Sequence, residues 1–176
     1  MSPALKQNAS VATGSVEHIS SYSSESALLK FISPWMAQQD IQQLVHEMYR
    51  EDRLTNSVII RSLCIGDLRF FQTAMAKRAG ITVSNAKILL LDPHNVGFDA
   101  CYEKAAMPAS LRDAVRTLYQ AALEETQLGR FYHDQFTQRV LGRIMREGLD
   151  ASVENMSIII GMLNASTQPS PQYAAS

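Results

Sequence analysis

Apolar residues recur every three to four positions along almost the whole chain, and no stretch alternates with the period of two that a half-buried strand requires. The pattern predicts an all-α protein. A first helix covers about Glu25 to Ile32 and stops at Pro34, whose ring cannot continue a helix. The next starts near Asp40, read as its cap, and carries Ile41, Leu44, Val45 and Met48 at spacings i, i+3, i+4, i+7. Thr55 caps a helix through Val58, Ile59 and Leu63 that closes at Gly66, and Asp67 caps another that closes at Gly80. Ser84 opens a short helix carrying Ile88 to Leu91, ended by Asp92-Pro93. A helix from about Val96 to Ala106 follows, then one capped by Ser110 with Leu111, Ala114, Val115, Leu118 and Ala121 on one face. Two more run from about Phe131 to Glu147, before Gly148, and from Ala151, after a capping Asp150, to about Asn164.

Between Ile60 and Pro108 one hairpin pattern occurs twice. Placing Phe71 over Phe98 also aligns Ala74 with Cys101, Ala79 with Ala106 and Ile81 with Pro108, a constant offset of 27 residues. Each unit reads helix, tight turn, helix. A hairpin this short cannot bury its apolar stripe alone, so repeated units stack into helical solenoids, whose usual business is to hold another macromolecule.

The chain has 176 residues, enough for one domain with a real core and too few for two comfortable ones. That domain is expected over residues 25–164, between a flexible N-terminal tail (1–24) and a flexible C-terminal tail (165–176), both rich in small and polar residues. Sixteen Lys and Arg face seventeen Asp and Glu, so the near-zero net charge argues against wholesale attraction to nucleic acid or an anionic membrane. Cys64 and Cys101 lie in apolar helical stretches, where buried free thiols of a reducing cytoplasm fit better than a disulfide framework. No apolar run is long enough for a membrane span, and the start has no signal-peptide pattern, so a soluble cytoplasmic protein is expected.

From Leu54 to Pro108 a leucine-bearing helix runs into a Gly-Asp turn, and a phenylalanine-bearing helix then closes on Ala-Gly-Ile, through Leu63, Gly66, Asp67, Phe70, Phe71, Ala79, Gly80 and Ile81. An apolar helix ending in Asp, a Gly-containing helix and a Lys-Ala-x-x-Pro close follow as Leu89 to Asp92, Gly97, Lys104, Ala105 and Pro108. In these elements the segment resembles a bacterial family known as domain of unknown function 2336. The resemblance implies an all-helical, HEAT-like repeat fold in a bacterial cytosol. It brings no activity and no functional residue with it. The fold expected is therefore an array of stacked helical hairpins, HEAT-like in its middle and closed by longer C-terminal helices.

Catalytic chemistry finds little footing. The histidines His18, His46, His94 and His133 have no His or Cys partner at metal-ligand spacing, and His46-Glu47 lacks the second His of a zincin motif. Neither thiol has a base placed to activate it, and the glycines fall singly rather than in a phosphate-binding loop. No cofactor, metal or enzymatic activity is expected. His133, at the start of a long amphipathic helix and followed by Asp134, fits the histidine of a phosphotransfer protein, but no Arg-Thr-Pro sequence follows it, and a surface histidine of no special role outweighs that reading.

Surface chemistry is richer. In the same helix Phe136, Val140, Leu141, Ile144 and Met145 are assigned to the apolar face, leaving Gln135, Gln138, Arg139, Gly142, Arg143 and Arg146 on the other. Arg139, Arg143 and Arg146 are the contact residues expected for an acidic or phosphorylated protein partner; the alternative is a solvated basic face balanced by Glu124, Glu125 and Glu147. A nucleic-acid binder would add Lys77 and Arg78 to that stripe. The last helix is apolar over more than one face, so it sits inside a bundle or packs on a second copy; Ile158, Ile159 and Met162 are the residues assigned to self-association. Trp35 reads as a core anchor between helices. Together these features favour a non-catalytic protein-binding adaptor, with histidine phosphotransfer through His133 as the alternative.

Overall fold

A computed structural model describes residues 36–127, 133–147 and 153–167. The helix expected over Glu25 to Ile32, Trp35, the tail 1–24 and the end beyond residue 167 lie outside the described residues. Within them the chain is all-α, with eight α-helices and no strand: α1 (Gln38–Arg50), α2 (Asn56–Cys64), α3 (Leu68–Ala79), α4 (Val83–Leu90), α5 (Val96–Lys104), α6 (Arg112–Gln127), α7 (His133–Glu147) and α8 (Val153–Thr167). No helix among the described residues is long and apolar enough to cross a membrane.

Local chemistry sets most boundaries. Thr55 Oγ1 accepts from the Val58 N–H and Asp67 Oδ1 from the Phe70 N–H, so both predicted caps hold α2 and α3 at their starts. Gly66 and Gly80 take the left-handed conformation, at φ 78° and 65°, that lets one helix end and the next begin within a few residues. Three starts differ from the sequence pattern. Asp40 is not the cap of α1 but its third residue, and its carboxylate reaches back to the Ala37 N–H. Thr82, not Ser84, caps α4 through the Asn85 N–H. A 3-10 turn over Ala109–Leu111, which takes in Ser110, precedes α6, and the Pro108 carbonyl at its start accepts from Tyr102 Oη at 2.9 Å.

Packing runs mainly between neighbours in sequence, with α2 on α3 and α4 on α5 as two hairpins, and with α6, α7 and α8 in succession. α3 is the hub and touches α1, α2, α4, α5 and α6. α2 also meets α6 and α8, which explains why every residue from Val58 to Cys64 is buried: an apolar cylinder needs cover on more than one side. That cover is where the last helix goes. Ile159, Met162 and Leu163 of α8 are all buried within the chain, leaving Ile158 partly outside.

The 27-residue repeat is visible in the core. Phe71 and Phe98 are both buried and converge on Tyr119 of α6, with ring centroids 5.5 Å and 6.0 Å from it. Ala74 and Cys101 are buried at the matching positions one turn on. The repeat fails at its close, because Ala79 is buried and Ala106 is exposed. α5 ends earlier than the repeat implies, at Lys104, and Ala106 rather than a glycine takes the left-handed turn at φ 52°.

Candidate protein-docking face on α7

α7 buries Phe136, Val140 and Ile144 against α6 and α8. These positions are four apart, so the buried face is a narrow stripe with Thr137 at its edge. Met145 does not belong to it: the side chain is 82% exposed. Nine residues at about 100° each put Met145 about 180° around the helix from Phe136, a signal available in the sequence that a list of apolar residues overlooks. It joins Gln135, Gln138, Arg139, Gly142 and Arg146 around an open depression of about 660 Å³.

The three arginines have different environments. Arg139 Nη2 lies 2.9 Å from Glu125 Oε1, a carboxylate on a residue only 4% exposed, and its Nε donates to the Gln135 carbonyl. Arg143 turns toward α6 and donates to both oxygens of Glu124, at 3.0 Å and 3.3 Å. Arg146 is exposed and makes no ion pair among the described residues. The stripe therefore divides: Arg139 and Arg146 line the depression, while Arg143 belongs to the α6–α7 contact. Glu125 is the residue the sequence could not single out, since nothing local marks it as the buried member of the Glu124-Glu125 pair.

Gly142 sits among the residues lining this face, and a Cβ built on it would meet nothing within 4 Å. The chain's own packing thus does not require a glycine there, although glycine in a helix interior costs about 1 kcal/mol against alanine.

The remaining candidates are scattered. His133 is the first residue of α7, and its side chain lies outside the described residues. His46 Nδ1 is 2.8 Å from Lys77 Nζ, which also stands 5.2 Å over the Tyr49 ring. Arg78 donates to Asn56 Oδ1 and to the Ala106 carbonyl, and neither it nor Lys77 lines the α7 depression. Both cysteines are buried free thiols. Burial pushes the Cys64 thiol up to about 12, only partly offset by Arg61, and also raises Cys101, so both are held as inert thiols at neutral pH. Among the described residues no group of three His, Cys, Asp or Glu side chains is placed to hold a metal.

No curated protein and no solved structure is significantly similar to this chain. A family model described as an uncharacterised protein conserved in bacteria, DUF2336, matches residues 4–147, well beyond the Leu54 to Pro108 stretch that carries the resemblance in the sequence. By that match over most of its length, the chain belongs to the bacterial DUF2336 family.

Proposed function

We propose that this protein is a non-catalytic adaptor or regulatory module that binds another protein through the exposed face of α7. The hairpins α2–α3 and α4–α5 act as HEAT-like units that set the frame, and α6 to α8 present the docking face. The reading rests on one observation: a helix that is well anchored on one side carries Gly142, the 82%-exposed Met145 and two arginines together on the other. An exposed thioether beside cations is a composition suited to an adaptable protein contact, and solvent alone gives it no advantage. The two buried thiols are in keeping with work in the cytoplasm.

Reversing all three arginines would be a poor test. Arg139→Glu sets two carboxylates against each other at the buried Glu125 and damages the fold along with the surface. The cleaner experiment places a photo-crosslinking amino acid at position 145 in the living host and compares it with the same variant carrying Arg146→Glu. An adduct of one defined mass, lost with Arg146→Glu and absent when the crosslinker replaces Ile88 on α4, is the expected result. If position 145 yields no adduct beyond that at position 88, the docking reading fails.

A further inference from the structure

We propose that the occupant of the α7 face is an acidic amphipathic helix that crosses α7 at Gly142, with a small residue at the crossing and acidic residues two turns apart. This rests on the reading of α7 as a docking face and specifies what docks.

Gly142 argues for the closeness of the crossing. Among the described residues nothing lies within 4 Å of where its Cβ would stand, so the missing side chain leaves room for a second backbone. Helices normally pack with axes about 8–10 Å apart, and the lower end is reached where small side chains meet at the contact. Met145, three residues on, stands on the same face and offers an unbranched side chain that can settle along the apolar stripe of a crossing helix.

Charge decides between a foreign helix and a second copy. Among the described residues the ionised groups lining the depression are Arg139 and Arg146; Arg139 is already paired with Glu125, so Arg146 carries the uncompensated charge. A two-fold crossing of α7 on α7 at Gly142 would bring two Arg146 charges together beside two Arg139–Glu125 pairs, and the repulsion between the Arg146 side chains opposes it. A partner bearing carboxylates has no such penalty. Arg139 and Arg146 are seven residues apart, two turns or about 10.5 Å along the axis, so the matching acidic residues are two turns apart as well. Their partner motif is an acidic residue, a small residue three or four positions on, and a second acidic residue at the seventh.

The test uses the full chain as bait for a displayed library of randomised 18-residue helical peptides. An enriched peptide is then titrated by fluorescence anisotropy against wild type, Gly142→Leu and Arg146→Glu, with melting curves for each. Leucine is a good helix former and its Cβ at position 142 would meet no described atom within 4 Å, so the first variant is expected to keep its melting temperature. The expected result is enrichment of the acid–small–acid spacing, and at least tenfold weaker binding to both variants at unchanged or higher melting temperature. Binding lost with Arg146→Glu but retained with Gly142→Leu overturns the helix crossing and leaves the docking face standing. Peptides indifferent to both variants, or a selection that yields no acidic helix, overturn this proposal, and the first of these also removes the support for α7 as the docking face. A dimer in sedimentation equilibrium that Gly142→Leu dissolves makes the second copy the occupant instead.

Discussion

The hub hairpin α2–α3 and the outer face of α7 use the same helical geometry to opposite ends. In α2 every residue from Val58 to Cys64 is buried, and in α3 so is every residue from Phe70 to Ala76, including Gln72, whose amide donates to the Tyr119 hydroxyl. Even the guanidinium-bearing Arg61 is fully enclosed, with its Nε donating to Ser57 Oγ. α7 buries one stripe and leaves a glycine, a methionine and two arginines outside it. Substitution in the hub is therefore constrained from all sides, while the outer α7 face, Arg139 apart, can change with little effect on folding. Stability is concentrated in one region and surface freedom in the other, a separation that suits the proposed adaptor role.

The sharpest break of this comparison is a pair of truncations. Phe71→Ala removes a fully buried ring that packs on Tyr119, and it should cost about 3–5 kcal/mol in urea unfolding, enough to unfold a marginal domain. Met145→Ala should shift the same curve by no more than about 0.5 kcal/mol, because its side chain is already in water. Equal losses from the two would mean that the outer face of α7 is structural.

Arg139 is where the two regions meet, and it carries the next largest effect. Arg139→Ala leaves the buried Glu125 carboxylate without its ion-pair partner, at a cost of about 1–3 kcal/mol. Glu125→Gln in the same chain should recover much of that loss, since a neutral amide tolerates burial better than an unpaired charge. A double-mutant cycle on chemical denaturation measures the coupling, and additivity of the two changes would show that the pair contributes nothing.

Much of the hub was legible in the sequence because its rules are local. Thr55 and Asp67 cap the helices they precede, Gly66 and Gly80 take the φ that only glycine adopts freely, and the 27-residue spacing finds both Phe71 and Phe98 in the core. Nothing local announces that Tyr119, about two repeats away from Phe71 in sequence, lies between the two rings. The division of the arginines was hidden for the same reason: whether Arg139, Arg143 or Arg146 is paired depends on how α6 offers Glu124 and Glu125. The burial of Ile159 and Met162 follows from α8 covering α2, a contact between helices roughly a hundred residues apart. Spacing along a helix fixes which residues share a face, and only tertiary packing fixes what that face meets.

Two glycines sharpen the contrast at about the 1 kcal/mol level. Gly97 opens α5 beneath the end of α4, where a Cβ would stand 2.7 Å from the Leu89 carbonyl oxygen and 3.0 Å from Asp92 Cβ. Gly97→Ala should destabilise by about 1–3 kcal/mol, because the obstructing atom is backbone and cannot swing aside. Gly142→Ala should stabilise by up to about 1 kcal/mol, the ordinary helix-propensity difference in open space. Thermal melts of the two variants should thus move in opposite directions, and a loss at Gly142 would mean that its environment is more crowded than the geometry indicates.

The smallest effect separates two aspartates that both hold helix starts. Asp92 accepts from the Gly97 N–H at 2.7 Å and from the His94 N–H at 3.1 Å, and these bonds hold its carboxyl below the usual range. Its contribution to stability is present above the unfolded carboxylate value, near pH 4, and is lost as pH falls through the lower folded value. Asp67 is shifted the other way. Burial raises its carboxyl, against the opposing Phe70 N–H bond, and its Oδ2 is buried with no hydrogen-bond partner among the described residues. Relative to the unfolded chain, its contribution is fully present below the unfolded value and is lost as pH rises through the higher folded one. Asp67→Asn keeps an oxygen for the Phe70 N–H and removes the buried charge, so it should raise the urea midpoint at neutral pH and narrow that gain toward about pH 3. Asp92→Asn should lower the neutral midpoint and flatten the acid limb. Parallel pH profiles for the two variants would mean that neither turn's carboxylate is tuned by its surroundings, and that the hub and the α4–α5 hairpin respond to acid only through their shared core.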